Sequence, residues 1–532
     1  MSENERMTRA AFVVGGATLV SRILGFLRDM VTAYFLGAGM TADAFFVAFR
    51  IPNLLRRLLA EGSLTVAFVP VFTEYLSQKG RDEAFVMARA MFTALTLSLL
   101  FITLFGEIFS PLLVKVMAPG FADDPQKYRI TVDLTRIVFP YIFFVSLVAI
   151  CMGILNSMHH FAAPALSPAL LNLCLIGSLY LWGRSWNQPV YALAVGVLLG
   201  GTAQLALQIP YMRSRGFSFK PSFYFSHPAI KKVMVLMGPA ALGSAVYQLN
   251  ILISTLLASL LPQGSVSYLY YADRVVEFPL GIFAIALGTA ALPSMSRHTA
   301  DGDMAGLIQT FSHALRLVLF ITLPAMTGLI VLRRPIVEIL FQRGAFDVLS
   351  TQKTSIALLY YSLGLWAFSA LRILVSAFSA LQDTKTPVKV AALSLGANIV
   401  LSLILMGPLK HGGLALATSF SAALQSTVLL FILRKRLGRL DGHKILSSLL
   451  KTTCCSLGMA LILYIVPTFF SPDGRLASLA FFITMGAFAY FALAWRLKCE
   501  ELHLLARSNR KKKQTPLQGG GSSPTGFGEI EH

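Results

Sequence analysis

The sequence predicts an all-α polytopic membrane protein of about fourteen transmembrane helices, built as two six-helix lobes related by a parallel repeat plus two further C-terminal helices. Three observations carry that prediction. Apolar runs of roughly 20 residues, the length that crosses a bilayer as a helix, recur along the chain. Only 13% of the 532 residues are charged and 55% are hydrophobic, where a soluble domain carries about 25% charge. Finally, prolines and their flanking residues repeat at one fixed interval.

The spans centre near residues 20, 55, 100, 143, 172, 200, 245, 280, 320, 365, 397, 423, 458 and 484. Loops after even-numbered spans are basic, among them SQKGR, RSRGFSFKPSFYFSHPAIKK, DTKTPVK and LRKRLGRLDGHK. Those after odd-numbered spans, such as LGAGM, PGFADDPQK, LPQGS and FFSPDGR, are poor in charge or mixed. Positive charge collects on the cytoplasmic side, so both termini are expected in the cytoplasm. The segment LRRPIVEILFQRGAFD breaks the pattern with Arg333, Arg334 and Arg343, and its periodicity suits an amphipathic helix at the outer interface. No cleavable signal peptide follows the polar start MSENERMTR. The formal net charge of +20 is accounted for by topology, so nucleic acid is not expected as a partner. The five cysteines show neither metal-site nor disulfide spacing.

The repeat rests on prolines. AFVP ends at Pro70 and AALP at Pro293, an offset of 223; NSMHHFAAP ends at Pro164 and ALQDTKTP at Pro387, again 223. ADAFFVAFRIP (Ala42 to Pro52) and ADRVVEFP (Ala272 to Pro279) add a looser likeness. An even number of spans per copy gives parallel copies with a cavity between them, which is transporter architecture. The expected organisation is residues 1–218 for the first lobe, 219–440 for the second, 441–500 for two added helices, and 501–532 for a disordered basic and Gly-rich cytoplasmic tail.

Charge inside the spans marks the site. SRILGFLRD places Arg22, Arg28 and Asp29 within an apolar run, where each costs roughly 2.5–3.5 kcal/mol near the bilayer centre. Asp43, Arg56, Arg57 and Glu61 follow in span two, Arg274 and Glu277 in span eight, and Arg372 in span ten. Such groups face a bundle interior or an aqueous cavity; the plainer alternative is snorkelling at span ends together with internal ion pairs. Excess arginine points to an anionic cargo, because the guanidinium fork binds phosphate bidentately at any physiological pH. Asp29 and Asp43 would hold the arginines between substrates. His159 and His160 read as solvated turn residues, and Asn156 and Asn172 as interhelical bonding partners. Neither a phosphate-binding G-x-x-x-x-G-K-[ST] loop nor an H-E-x-x-H motif is present, so the chain is expected to be a transporter and not an enzyme, with no cofactor.

SRILGFLRD, GAGMTADAFFVAFRIPNLLRRLLAEGSLTVAFVPVF, APGF, YYADRVVEFPLGIFAIALGTAALPS, DTKTPVK and GPLKHGGLALA resemble the MurJ (MviN) family of bacterial lipid II flippases, within the multidrug/oligosaccharidyl-lipid/polysaccharide exporter superfamily. The likeness covers about residues 7 to 500. It implies fourteen helices around a V-shaped cavity, with spans thirteen and fourteen lining a groove for the undecaprenyl tail. It puts the functional arginines at Arg22, Arg28, Arg56 and Arg274, with acidic partners Asp29 and Asp43. Glu61 and Glu277 are taken as gating or ion-pair residues, and Arg57 and Arg372 as secondary candidates. Some relatives bind sodium in the second lobe. Asn398 and Thr418 remain here, but Ser254 and Ser402 stand where acids would be, so no metal site and no sodium coupling is expected. The implied partners are lipid II and membrane lipids, with the protein a monomer and a cell-wall synthesis complex its candidate assembly. Two rivals stay open: a flippase for another polyprenyl-linked glycan of O-antigen type, and a cation or drug antiporter.

Overall fold

The computed structural model describes residues 3–57, 64–469 and 474–502, with side chains described from Val14 onward except at 239–244, 246–247 and 468–469. Glu61 and the tail from 503 lie outside the described residues. Every regular element among the described residues is helical. In a bilayer this follows from backbone chemistry, since a helix satisfies its own amides and carbonyls where no water can.

The first half comprises α1 (Glu3–Leu36), α2 (Met40–Leu55), α3 (Thr65–Gln78), α4 (Arg81–Ile108), α5 (Ser110–Met117), α6 (Pro125–Val138), α7 (Tyr141–Ser157), α8 (Ala162–Trp182) and α9 (Pro189–Ser214). The second comprises α10 (Pro228–Ser259), α11 (Ser265–Pro279), α12 (Ile285–Ala300), α13 (Met304–Val331), α14 (Arg333–Phe341), α15 (Val348–Ser362), α16 (Leu365–Ala380), α17 (Lys385–Leu409) and α18 (His411–Leu437). Two helices follow, α19 (Gly442–Phe469) and α20 (Arg475–Arg496). Among the described residues ten spans, or eleven with the pair α15 and α16 bent by 43°, are long and apolar enough to cross a membrane. Beyond these, α1 carries the charged SRILGFLRD stretch, and α10 and the α2–α3 pair contain residues outside the description.

Duplication is visible in the helices themselves. The starts of α4 and α13, α5 and α14, α6 and α15, and α8 and α17 all differ by the same offset as the prolines. Packing repeats too: α1 on α8 and α10 on α17, α2 on α6 and α11 on α15, α3 on α7 and α12 on α16. Pro164 and Pro387 are each the third residue of their helices. The Ala-Asp likeness, however, does not align. Gly39 and Gly264 are the N-caps of α2 and α11, so Asp43 lies in the first turn of its helix and Asp273 two turns into the other.

One buried cluster joins the halves at one end, drawing Phe45, Phe46 and Ala48 from α2, Tyr271 and Val275 from α11, and Phe341 and Phe346 from α14 and just beyond it. Phe46 stacks on Tyr270 with ring centroids 3.9 Å apart. Toward the other end the remaining apolar cores separate. One is built on α3, α4 and α7 with the start of α10, and another on α12, α13 and α16. The halves thus share an aromatic core at one end, and at the other the start of α10 packs on α3 and α4 of the first half. The segment Arg333–Phe341 is indeed a short helix, α14. Its counterpart α5 falls in a region the sequence reading treats as part of a span end.

Candidate functional site

The site forms where α1 of the first half meets α11 of the second. Arg28 donates from Nε and Nη2 to Asp29 Oδ1 at 3.0 and 2.6 Å, from Nη1 to Asn172 Oδ1 at 3.1 Å, and from Nη2 to Tyr270 Oη at 3.2 Å. Tyr270 in turn donates to Asp29 Oδ1 at 3.0 Å. Arg274 Nε lies 3.7 Å from Asp29 Oδ2, its guanidinium sits over the Tyr270 ring, and Nη1 bonds Glu277 Oε2 at 2.5 Å. Asp29 is only 2% exposed, whereas a third of the Arg274 side chain is open. The cluster thus ties two arginines from opposite halves to one carboxylate.

Local sequence explains the geometry. Asn172 on α8 donates to the Ser21 carbonyl at 3.1 Å while accepting from Arg28, so an interhelical bond also orients a guanidinium. Between α11 and α12 the chain forms a π-helical turn, Leu280–Ala284. Arg22, exposed on α1, lies against Gly281 in that turn, and a Cβ there would collide with Arg22 Nη1. The glycine leaves room for the guanidinium against the other half's backbone, and a larger residue would make the flexible Arg22 side chain swing aside.

Asp43 forms an ion pair here with Lys127. It holds no arginine among the described residues. Its carboxylate is 1% exposed and accepts from Lys127 Nζ at 2.8 Å, from the Gly264 and Ser267 amides at 2.8 and 2.9 Å, and from Ser267 Oγ at 2.7 Å. A carboxylate at a helix N-terminus satisfies orphan amides and complements the dipole. Asp43 therefore clamps α2 to the start of α11. Gly264 adopts a φ of 90°, and a Cβ would meet Tyr268 and the Ala38 carbonyl.

The other candidates scatter. Arg56 is half-buried at the end of α2 and Arg57 exposed beside it. Arg372, exposed on α16, packs its Cβ near Gly288 of α12 and not beside α1. Sequence reasoning missed four participants: Arg50, Asp273, Lys127 and Tyr270. Arg50 bonds Thr255 Oγ1 on α10, and the acidic charge acting on it is Asp273, which also neighbours Arg274 and Arg57. Both were in-span charges, so the signal was present. Lys127 was hidden in an apparent loop, and Tyr270 carries no charge to flag it.

The second-half sodium candidates form a neutral set. Asn398 Nδ2 donates to Asn250 Oδ1 at 2.7 Å, its own Oδ1 is buried without a partner, and Thr418 Oγ1 donates to Leu414 of its own helix. Ser402 is buried. Among the described residues no carboxylate cluster suits a metal. This donor set does not fit a monovalent-cation site that relies on formal negative charge.

Comparison with known proteins decides the family. The profile described as "Lipid II flippase MurJ" matches residues 32–487. This chain belongs to the MurJ family. A Vibrio cholerae relative named probable lipid II flippase MurJ is 39% identical, covering 80% of this chain and 82% of its own. The Burkholderia cenocepacia lipid II flippase MurJ is 38% identical, covering 80% and 84%. Among solved structures, "Lipid II flippase MurJ, inward closed conformation" superposes with a TM-score of 0.78 at 28% identity over 91% of this chain and 98% of that one. An inward-facing multidrug resistance transporter of the MOP superfamily gives 0.65 at 12% identity over 81% of this chain and 99% of that one, a likeness of fold alone. The all-α, two-lobed fold class therefore stands, and the MurJ family places this chain among transporters and not enzymes.

Proposed function

We propose that this protein flips lipid II, the undecaprenyl-diphosphate-linked peptidoglycan precursor, from the inner to the outer leaflet by alternating access. The observation that supports it most directly is the Arg28–Asp29–Tyr270–Arg274 cluster, which joins the two halves through one buried carboxylate. A diphosphate entering between the halves offers the guanidinium groups a stronger partner than Asp29, since charge-assisted bidentate bonds to phosphate are the strong kind. Drawing Arg274 and Arg28 onto the cargo loosens their hold on Asp29 and with it the joint between α1 and α11. Once the cargo leaves, Asp29 takes the arginines back and quenches their mutual repulsion. Arg22 and Arg56 extend the positive surface, with Arg57 and Arg372 at its margin.

The lobes are residues 1–218 and 219–440, residues 441–500 supply the lipid-tail groove, and the protein works as a monomer in the bacterial inner membrane with both termini cytoplasmic. Transport runs on membrane potential without sodium. Two negative charges leaving a negative cytoplasm release roughly 4.6 kcal/mol at 100 mV, from about 2.3 per charge. An arginine-dominated site disfavours a cation antiporter.

The test is a depleted strain carrying Arg274→Lys, with lipid II scored in each leaflet. Lysine keeps the charge and loses the fork. Lipid II should accumulate in the inner leaflet. Full rescue by lysine, or unchanged flipping after the potential is collapsed at constant ATP, would defeat the corresponding part of the proposal.

A further inference from the structure

The connection between the halves is long and doubles back on the first of them. It leaves α9 at Arg215, whose Nη1 donates to the Met158 carbonyl at 2.6 Å and whose own carbonyl accepts from Arg81. It then runs back along α4. Phe217 packs edge-on to Phe85, Phe219 packs on Phe92, and the Ser222 amide donates to Thr93 Oγ1 at 3.0 Å. Thr93 lies three turns past Arg81 on α4, or about 18 Å along the helix. The last charged residue before it on α4 is Arg89, and the next is Glu107. The tip of the connection therefore reaches one turn into the uncharged stretch of α4, beyond which Leu97, Leu100 and Phe101 are exposed. There it exposes Phe223, Tyr224 and Phe225, at 69%, 52% and 45%. The first part of the connection lines a hollow of about 470 Å³ formed by Arg213, Gly216, Phe217, Ser218, Phe219 and Lys220.

The repeat shows what is unusual about Arg213. Its counterpart in the second half is Arg436, which donates to Asp383 Oδ2 at 2.7 Å. The Thr386 hydroxyl and amide, then Arg436, hold that carboxyl below the usual range. The residue equivalent to Asp383 is His160, stacked on Tyr211. Arg213 and Lys220 have no carboxylate in ion-pair range among the described residues, and both are exposed. A cationic hollow, with aromatic side chains one helical turn inside the apolar layer, matches an amphiphile whose phosphate sits over acyl chains.

We infer that the 213–227 connection is a binding site for an anionic glycerophospholipid, its phosphate held by Arg213, Ser218 and Lys220 and its chains by Phe223 and Phe225. The site lies on the lipid-facing side of α4, apart from the α1–α11 cluster that takes the cargo. It secures the covalent link between the two halves to the bilayer, so that the halves rock about an anchored joint.

The full-length protein, delipidated and in mixed micelles, is titrated with phosphatidylglycerol and with phosphatidylcholine of the same chains. Phosphatidylglycerol should bind about ten-fold or more tightly, and Arg213→Gln with Lys220→Gln should remove that preference. Phe223→Ser with Phe225→Ser should weaken both lipids while leaving thermal stability unchanged. Arg28→Ala, altering the cargo cluster, should leave phosphatidylglycerol binding intact and so separates this site from the lipid II reading. Millimolar inorganic phosphate should not displace the lipid. Equal binding of both lipids, retained preference in the double Gln variant, or full displacement by phosphate would each overturn the inference.

Discussion

The packing of α1 on α8 and of α10 on α17 is the same architectural contact made twice, yet the two are chemically opposite. In the first half it holds Arg28, Asp29 and Asn172. At the matching positions of the second, Arg22, Arg28 and Asp29 become Ala245, Ile251 and Leu252, and the polar contact is an asparagine pair, Asn250 with Asn398. One copy faces the other half with charge, and the other stays neutral. Duplication supplied the scaffold twice, while the charged chemistry was placed once and completed from α11. Under the proposed function, a single arginine-lined face would suffice for a cargo held at the junction of the halves, and the neutral α10–α17 contact has no ion pair to break.

The comparison breaks most sharply at Arg28. Arg28→Ala leaves Asp29 buried beside one distant guanidinium, a loss worth about 3–5 kcal/mol for a buried pair. Flipping in a depleted strain should fall about 100-fold or more, while Ile251→Ala at the matching position should complement growth. Equal tolerance at both positions would mean that the charge is ornamental.

Asp43→Asn should rank second, because it leaves Lys127 buried and unpaired, at a cost of up to about 3–5 kcal/mol. Since this clamp joins the halves, Ala42→Cys, fully buried here, should gain reactivity toward a membrane-impermeant thiol reagent in the Asp43→Asn background. Continued protection would show that the shared aromatic core closes this end unaided.

A smaller effect is expected where the second copy is neutral. Replacing Asn250 and Asn398 together by Leu should change stability by less than about 1–2 kcal/mol, since both partners of the hydrogen bond are removed at once. Flipping should persist in sodium-free medium for the parent and the variant alike. A strict sodium requirement abolished by this pair of substitutions would restore a cation role to the second half.

The smallest difference concerns the Asp383–Arg436 latch, which the first half lacks at the matching positions. The carboxyl is held below its ordinary value, so its contribution is fully present above about pH 3.9 and fades as the pH falls through the lower folded value. An exposed pair contributes at most about 1 kcal/mol. Arg436→Gln should slightly flatten the acid limb of thermal stability, whereas Arg213→Gln should leave it unchanged.

The sequence by itself determined the membrane-spanning class, the repeat and most of the charged site. Length and hydropathy dictate helices wherever backbone groups leave water, and a charge in such a run is conspicuous because it costs free energy. Arg22, Arg28, Asp29, Arg274 and Glu277 could be selected on that ground alone, and Pro164 and Pro387 fixed the duplication. Partnerships required the tertiary structure. Asp43 looked like a companion for arginine, but the N-terminus of α11 and Lys127 surround it, groups that lie far from it along the chain. Tyr270 and Asn172 shape the arginine cluster through hydrogen bonds that carry no charge signature. The repeat offset shows His160 where the second half has Asp383, but only the packing shows that Asp383 is the partner of Arg436. Burial cost is local and can be read residue by residue; which partner offsets it depends on three-dimensional proximity.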